Sequence, residues 1–315
     1  MYRGKVIGII FLNLFMFSSF IGASEPETKR LYSAEEYIKM VENFIKLDLI
    51  IQADKKEYIQ YEPIRIKAIL SNSTEEEIDI VAELRAASGY GKYYIEYPDK
   101  TTKIYKDIYH LSMIPKIITL KPQETYETIV SIFYGTDGFY FEDIGEYKIW
   151  GKYYNRVVSE KIKIKIKKPY LRTDKELVKY FKQRWMGNFL HLDGGGDQEP
   201  EVERIIKKYK GRKSVYLGYA KLSLAFSYSI GRRGPYEGGR RPPKPTRAIE
   251  LLKDAIEEIP PGYHNEVAFG ALFNRYLEIG NRKSAAEVKN IYYNKYKEPR
   301  FEVDIEKIWR KNNEK

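Results

Sequence analysis

The chain contains no cysteine among its 315 residues. This absence excludes disulfide bonds, thiolate zinc sites and a cysteine nucleophile. It also excludes the cysteine-linked lipid anchor of bacterial lipoproteins. If the chain is exported, its stability has to come from hydrophobic cores, and its hydrophobic content of 43% is typical of a folded chain.

Histidine is scarce, and the three that occur, His110, His191 and His264, are far apart and lack the spacing of a metal site. The simplest interpretation of His191 and His264 is that they lie at the surface. The motifs HExxH, GxSxG, GxxxxGK(S/T) and GxGxxG are absent too, so the sequence indicates no metal and no cofactor. Glycosidase-type carboxylate pairs have no local signature. With that class left open, we expect a protein that is not an enzyme.

The N-terminus has the pattern of a secretory signal peptide. Arg3 and Lys5 precede an uncharged apolar run over residues 6–21, and the small residues Gly-Ala-Ser follow at 22–24. An uncleaved anchor is the alternative, but the run is shorter than the ~20 residues that a spanning helix needs. We predict a signal peptide over residues 1–23 and an extracytoplasmic protein, periplasmic or secreted, that is not an integral membrane protein after cleavage. Export disfavours nucleic acid as a partner, despite the formal charge of +11.

Two successive periods in the hydrophobic pattern predict two kinds of structure. Residues 24–46 are expected to form a linker and a helix, opened by a capping box of Ser33 and Glu36 and running to about Lys46. From residue 47 apolar and polar residues alternate, as in LDLIIQAD, PIRIKAILSN and EIDIVAEL. About seven short strands without an intervening helix predict an antiparallel β-sandwich over residues 47–168.

This segment resembles the immunoglobulin-like sandwiches of exported bacterial proteins. The resemblance is carried by Tyr61-Glu62-Pro63-Ile64 and Leu120-Lys121-Pro122, each before a strand, and by Gly145-Glu146-Tyr147 at the start of the penultimate strand. It implies that Tyr147 forms a tyrosine corner, and it implies little about function. The antibody-type Cys…Trp…Cys signature is absent, although Trp150 lies in the same strand.

The stretch SEKIKIKIKKP is predicted to be the last strand of the sandwich. Its alternation places Ile162, Ile164 and Ile166 towards the core and the lysines towards water. Lysines on an exposed edge or face discourage aggregation between sheets. A surface for a polyanion is the alternative interpretation.

After Pro169 the period becomes helical, and residues 169–315 are predicted to form an α-helical domain. Thr173 and Glu176 suggest a capping box, and FEVDIEKIWRKNN is expected to cap the end. The helices resemble tetratricopeptide repeats, that is, stacked αα-hairpins. The positions that carry this resemblance are Ala248, Leu252, Ala255 and Pro260, preceded by Leu224, Ala225 and Tyr228 and followed by Leu272, Tyr276, Gly280 and Ala285. The segment GRRGPYEGGRRPPKP (231–245) stands where the family has a tight turn.

Three local features are candidate sites, each with a plainer alternative. Arg232, Arg233, Arg240 and Arg241 are either part of a solvated loop or an arginine contact for an acidic surface. Tyr90, Tyr93, Tyr94 and Tyr97 either cover the rim of the sandwich or form a stacking platform for sugars or protein. The loop from Asp193 to Asp197 is either a calcium loop or, as we expect, a connector whose Asp197 caps the next helix.

The sequence favours a non-enzymatic exported binding protein whose sandwich and helical repeats engage an envelope or extracellular protein partner. Three alternatives remain open. The protein could be a proteinase inhibitor of immunoglobulin-like type, or it could bind a glycan or another anionic polymer through its tyrosines and lysines. An enzyme would need a buried cluster of carboxylates or histidines between the two parts.

Overall fold

The computed structural model describes residues 33–109, 116–194, 197–230 and 242–296. Within these ranges a run of strands is followed by a run of helices, so the protein is of mixed β and α class. We refer to residues 47–167 as the strand region and to residues 172–295 as the helical region. The predicted signal peptide, the predicted C-terminal cap and part of the 231–245 segment lie outside the described residues.

A short helix, α1 (Ala34–Asn43), precedes the first strand. The predicted capping box is confirmed: the Ser33 backbone N–H donates to Glu36 Oε2 at 2.8 Å, and the Glu36 N–H donates to Ser33 Oγ at 3.1 Å. The helix ends earlier than expected, because a 3-10 turn at Phe44–Lys46 leads directly into the first strand.

The strand region forms two main sheets. Its strands are β1 (Leu47–Ala53), β2 (Glu57–Ile59), β3 (Arg65–Asn72), β4 (Ile78–Val81), β5 (Gly91–Glu96), β6 (Thr102–Ile104), β7 (Ile117–Leu120), β8 (Thr125–Ser131), β9 (Tyr134–Gly135), β10 (Gly138–Phe139), β11 (Gly145–Tyr153), β12 (Val157–Val158) and β13 (Ile162–Lys167). The smaller sheet has the antiparallel order β1-β3-β8. The larger sheet has the order β2-β13-β11-β5-β6, in which β2 is parallel to β13, the other pairs are antiparallel, and β12 also pairs with β11. Separate two-stranded pairs join β4 to β7 and β9 to β10.

The core of the strand region lies between the two sheets. Alternate residues of β1, β3, β5, β11 and β13 point inward and are almost completely buried; they include Leu49, Ile51, Ile66, Ala68, Leu70, Tyr93, Ile95, Tyr147, Ile149, Ile164 and Ile166. A Cβ placed on Gly151 of the larger sheet would lie 3.3 Å from Leu49 and 3.4 Å from Ile51 of the smaller sheet, which shows how closely the sheets approach. Burial of a large aliphatic or aromatic side chain contributes about 1.5–3 kcal/mol, so this layer is the main source of stability of the region.

The strand β13 has the predicted alternation but not an edge position. Ile164 and Ile166 are buried, while Lys163, Lys165 and Lys167 are exposed. The strand lies between β11 and β2, because Lys165–Lys167 pair with Glu57–Ile59. The lysines therefore occupy an exposed face of the larger sheet, not a free edge.

The helical region comprises α2 (Arg172–Phe181), α3 (Arg184–His191), α4 (Glu199–Lys208), α5 (Val215–Ile230), α6 (Pro245–Glu258), α7 (Tyr263–Glu278) and α8 (Arg282–Lys295). Consecutive helices from α5 to α8 pack against each other. Buried Ala248, Leu252 and Ala255 of α6 supply small and apolar contacts, as the alanine and leucine spacing predicts.

Two predicted helix caps are wrong. The residue before α2 is Leu171, which makes no side-chain cap, and the predicted cap Thr173 already lies inside the helix. The residue before α4 is Gln198, so Asp197 does not cap that helix. Within the described ranges, no helix has both the length and the apolar composition needed to cross a membrane.

Candidate binding site on the larger sheet

The structure separates the four tyrosines that suggested a platform. Tyr94 lies on the outer side of the larger sheet, and Tyr90 stacks on Tyr154 at the end of that sheet with ring centroids 5.0 Å apart. Tyr93 and Tyr97 point into the core and are only 1% and 9% exposed. Because successive residues of a strand point to opposite faces, Tyr93 and Tyr94 cannot share a surface. The prediction that all four tyrosines form one platform is therefore wrong, because Tyr93 and Tyr97 are core residues.

The arginine candidates Arg232, Arg233, Arg240 and Arg241 lie outside the described residues. The arginine contact stays a prediction from sequence.

The outer side of the larger sheet carries many lysines and no arginine. Its members project away from the core from β5, from β11, from β13 and from the residue before β13. We call this surface the lysine face; it consists of Lys92, Tyr94, Glu96, Glu146, Lys148, Trp150, Lys152, Lys161, Lys163 and Lys165. Six lysines thus share the surface with two glutamates, and its net charge is strongly positive.

Two aromatic rings stand at the centre of the lysine face. Tyr94 and Trp150 are directly opposite on β5 and β11, and their rings are stacked at 5.3 Å with an interplanar angle of 8°. The ammonium of Lys152 lies 5.1 Å from the Tyr94 ring centroid, and that of Lys161 lies 4.3 Å from the Trp150 centroid. The rings and lysines therefore form one cation–π ladder across the strands, in which each contact contributes about 0.5–1 kcal/mol at an exposed site.

Three of the lysines have carboxylate partners on the same face. Lys148 and Lys161 both contact Glu96, at 2.9 and 3.1 Å, and Lys163 lies 3.5 Å from Glu146. Hydrogen bonds from Lys148 and then Lys161 lower the pKa of Glu96 to about 2. Glu96 is consequently ionised throughout the physiological range, and it is shared between two ammonium groups.

Lys92 and Lys152 lack such compensation. They are direct cross-strand partners on β5 and β11, next to the Tyr94–Trp150 pair. Among the residues that the structure describes, no carboxylate forms an ion pair with either lysine. Lys165 at the other end of the face differs from them, because Glu146 of β11 and Glu57 of β2 stand opposite it. Like charges directly opposite each other in a sheet are destabilising. The ammonium groups of Lys92 and Lys152 therefore repel each other across the strands.

A buried polar cluster joins the strand region to the helical region. Arg65 Nη2 of β3 donates to Asp193 Oδ1 after α3 at 2.6 Å, and the Arg65 guanidinium lies 5.1 Å from the ring centroid of Tyr263 at the start of α7. The Tyr263 backbone N–H donates to Asp54 Oδ2 at 3.0 Å, just beyond the end of β1. Ile129 of β8 packs against the small apolar cluster that Tyr263 forms with Val267.

The same cluster continues along α5. The Tyr219 hydroxyl donates to Glu62 Oε1 at 2.6 Å, and the Tyr216 hydroxyl donates to the Gln60 carbonyl at 2.6 Å. Burial, together with the Glu62 carboxylate, raises the pKa of Tyr219 well above its usual value, so the phenol stays a donor. These two hydrogen bonds link α5 of the helical region to Gln60 and Glu62 of the strand region.

The interpretation of His264 as a surface residue is wrong. It is 5% exposed at the start of α7, and its ring meets Tyr219 and Tyr263 edge to face at 5.0 and 5.5 Å. Burial, and then the nearby charges of Arg65 and Lys55, lower its pKa well below the usual value. The imidazole is therefore neutral at physiological pH.

His191 is also enclosed rather than superficial, with a side chain only 6% exposed. Its Nε2 lies 3.2 Å from Asp107 Oδ1, and its Nδ1 lies 3.5 Å from Ser131 Oγ. Asp107, His191 and Ser131 thus form a linked chain where α3 meets the strand region. Their sequence separation gave no motif, since the three residues come from a loop, a helix and a strand.

The Asp193 carboxylate is engaged by Arg65, which favours the connector interpretation of the loop over a calcium site. Across residues 33–109, 116–194, 197–230 and 242–296, no group of three or more metal-ligating side chains could hold a metal ion.

A groove of about 680 Å³ runs along β1. Its rim carries the exposed apolar side chains Ile45, Ile50 and Val158, and among the described strands β1 pairs only with β3. Open strand edges of this kind can accept an additional strand.

No protein-family model and no curated protein matches the chain. Solved structures to which it is similar include a β-glucosidase from Listeria innocua, with 10% identity over 40% of this chain and 16% of that one at a TM-score of 0.26. The alkylpurine DNA glycosylase AlkC from Pseudomonas fluorescens matches with 12% identity over 39% of this chain and 30% of that one, also at 0.26. A CARDB domain from Pyrococcus furiosus matches with 10% identity over 38% of this chain and 87% of that one, at 0.22. The chain spans less than a third of the glucosidase and the glycosylase, and none of these likenesses indicates a function.

Proposed function

We propose that this protein is a non-enzymatic, exported binding protein that holds an acidic partner of the envelope or extracellular space against its lysine face. The observation that carries the proposal is the pair Lys92 and Lys152, which stand directly opposite each other without a carboxylate partner among the described residues. A cross-strand pair of like charges costs up to about 1 kcal/mol in the free protein. A bound anion would convert that cost into a favourable interaction.

Export rests on the signal-peptide pattern of residues 1–23. Outside the cytoplasm the acidic partner is either an envelope or extracellular protein or a glycan or similar polymer. Long-range charge brings such partners together quickly and makes their association sensitive to salt.

We also propose that the strand region is an immunoglobulin-like sandwich. Three features support this: the order β1-β3-β8 facing β2-β13-β11-β5-β6, the parallel pairing of β2 with β13, and a bond from the Tyr147 hydroxyl to the Asp143 carbonyl at 3.0 Å. The last is the bond that a tyrosine corner makes.

The helical region is proposed to be a short tetratricopeptide-like stack. Its support is the sequential packing of α5, α6, α7 and α8 and the buried small residues Ala248 and Ala255 at the helix contacts. The polar cluster around Arg65 and Asp193 holds this stack against the strand region, so that both regions would meet a partner as one body.

The site can be located by lysine acetylation footprinting of the chain without residues 1–23. Soluble polyanions of different chemistry, poly-glutamate and polygalacturonate, are added before acetylation, and each lysine is read by mass spectrometry. We expect protection of Lys92, Lys152 and Lys165, while the exposed Lys207 and Lys283 of the helical region serve as internal controls. Equal protection of the controls, or none at the lysine face with either polymer, would overturn the proposal.

A second candidate function is hydrolysis of an acyl ester, favoured by the chain Asp107–His191–Ser131. Ser131 Oγ would attack the carbonyl while His191 takes its proton and passes it to the departing alcohol, and water would then release the acid. The Ser131–His191 distance of 3.5 Å is longer than the 2.6–3.2 Å typical of an activated nucleophile, so this function ranks second. A fluorophosphonate probe should label wild-type protein but not Ser131→Ala; absence of labelling in the wild type removes this candidate.

The inhibitor alternative predicts that residues 47–168 alone block a protease. A panel of serine and cysteine proteases incubated with that fragment tests it, provided that the fragment shows cooperative unfolding.

A further inference from the structure

We infer that the ligand of the lysine face is an acidic polysaccharide, bound as an extended chain over the ladder of Lys92, Lys152, Tyr94, Trp150 and Lys161. The inference rests on the proposed function and names the chemical class of the ligand. Its basis is the spacing of the lysines along the face, the contacts already made by the two aromatic rings, and the presence of lysine instead of arginine.

The lysines of the face extend over a distance that a small anion cannot span. Lys92 and Lys152 form one end of the face, and Lys165, which has Glu146 and Glu57 opposite it on the neighbouring strands, stands at the other. Glu146 and Lys152 are six positions apart on β11, which at ~3.3 Å per residue is roughly 20 Å. A single sulfate or carboxylate reaches one end only, whereas a polymer with anionic groups at intervals reaches both.

The aromatic rings exclude one class of polymer. Tyr94 has Trp150 stacked on it and the Lys152 ammonium 5.1 Å from its centroid, and Trp150 has the Lys161 ammonium at 4.3 Å besides Tyr94. Single-stranded nucleic acids are held by bases that stack on open aromatic faces. These faces are already occupied, so the rings position lysines instead of offering a stacking surface.

The side-chain chemistry favours a hydrated polyanion over a protein surface. Lysine is a strongly hydrated point charge, whereas arginine is enriched where carboxylates or phosphates are gripped in fixed bidentate geometry. A stable protein interface also needs apolar or aromatic anchors that become desolvated at its centre. The centre of the lysine face presents ammonium groups above half-buried rings, which suits a chain that is polar along its whole length.

The decisive variant removes the two ammonium groups of the uncompensated pair, and with them the cation–π contact of Lys152 with Tyr94. Lys92→Gln/Lys152→Gln replaces both ammonium groups by neutral amides on slightly shorter side chains and abolishes the repulsion between them. We expect its midpoint of thermal unfolding to stay close to that of the wild type, because the lost like-charge repulsion and the lost cation–π contact of Lys152 with Tyr94 are of similar size. Lys207→Gln/Lys283→Gln in the helical region removes the same total charge and is the matched control.

Binding is measured by isothermal titration of the chain without residues 1–23 with polygalacturonate, dextran sulfate, poly-glutamate and neutral dextran at low salt. We expect both acidic polysaccharides to bind, with a dissociation constant lower than that of poly-glutamate at equal charge, and neutral dextran not to bind. The pair variant should weaken polysaccharide binding about fivefold to tenfold, and the control variant less than twofold.

The other outcomes distinguish a failure of this inference from a failure of the proposed function. Tighter binding of poly-glutamate, with the pair variant still weakened, would leave the face as a binding site and overturn the polysaccharide assignment. Binding of the polysaccharides that is equally strong in the pair variant would place their site elsewhere and overturn it as well. If none of the polyanions binds the wild type, the inference and the proposed function fall together. If the polysaccharides bind as expected, a comparison of the dissociation constants of polygalacturonate and dextran sulfate shows whether carboxylated or sulfated chains are preferred.

Discussion

Arg65 and Asp193, which are 128 residues apart in the chain, form an ion pair with Nη2 and Oδ1 separated by 2.6 Å. The two ends differ in their access to water, since the arginine side chain is 9% exposed and the aspartate side chain 34%. Arg65 Nε is buried and finds no acceptor among the described residues. Without Asp193 the guanidinium would be a buried charge without a counter-charge, whereas without Arg65 the carboxylate would still be reached by water.

This asymmetry predicts unequal effects of removing either partner. Asp193→Asn leaves a buried guanidinium without a counter-charge, and we expect the free energy of unfolding to fall by about 3 kcal/mol. Arg65→Met keeps most of the apolar contact with Tyr263 and leaves a carboxylate that water can reach, so we expect a loss of about 1 kcal/mol. Urea denaturation of the two variants measures both values. A larger loss for Arg65→Met than for Asp193→Asn would contradict the asymmetry. Asparagine tolerates the positive φ of 49° at position 193, so backbone strain does not affect the comparison.

The corner at Tyr147 should contribute measurably to the stability of the strand region. Its hydroxyl donates to the Asp143 carbonyl and accepts from the Asp143 N–H, both at 3.0 Å. Tyr147→Phe leaves both backbone groups without this partner, and we expect a loss of about 1–3 kcal/mol in thermal or urea unfolding. Tyr94→Phe is the matched control, because the Tyr94 ring is held by stacking on Trp150. Equal losses in the two variants would show that the corner bond adds nothing.

Stability should decrease in mild acid because of His264. Burial keeps its pKa well below the usual value in the folded protein, whereas in the unfolded chain it titrates near 6.5. Below about pH 6.5 the unfolded state therefore binds a proton that the folded state does not, and stability is lost as the pH falls towards the folded pKa. For one such group the loss at pH 5 cannot exceed about 2 kcal/mol, which is the full cost of keeping an imidazole neutral at that pH.

His264→Phe keeps a ring between Tyr219 and Tyr263 and removes the titrating group. The free energy of unfolding of this variant should change less between pH 7 and pH 5 than that of the wild type. Chemical denaturation at several pH values provides the comparison. An identical pH dependence in both proteins would mean that His264 isn't neutralised by its surroundings.

The bond between Tyr219 and Glu62 should couple the strand and helical regions. Tyr219→Phe, Glu62→Gln and the double variant form a cycle from which the interaction energy is obtained by urea unfolding. Because the acceptor is a carboxylate and the pair is buried, we expect a coupling of about 1.5–3 kcal/mol. A coupling near zero would indicate that the two regions are joined independently of this bond.

The change of side-chain period near Pro169 predicted where strands give way to helices, and the alternation in SEKIKIKIKKP predicted which of its residues are buried. Both are local properties, because the direction of a side chain in a strand or helix follows from its position along the backbone. The capping box of Ser33 and Glu36 was predictable for the same reason, as its two residues lie within one turn. The same alternation also separates Tyr93 from Tyr94, so half of the proposed tyrosine platform could have been excluded from sequence.

What required the tertiary structure was every relationship between segments that are distant in the chain. The register of β5 against β11 brings Lys92 opposite Lys152 and Tyr94 opposite Trp150, and no pattern within either strand specifies that register. Packing of the helical region against the strand region buries His264 and His191, which look like surface residues in sequence. Sequence periodicity indicates the face on which a side chain lies. The charge state and the partners of that side chain depend on which other segment covers the face, and only the tertiary structure determines which segment that is.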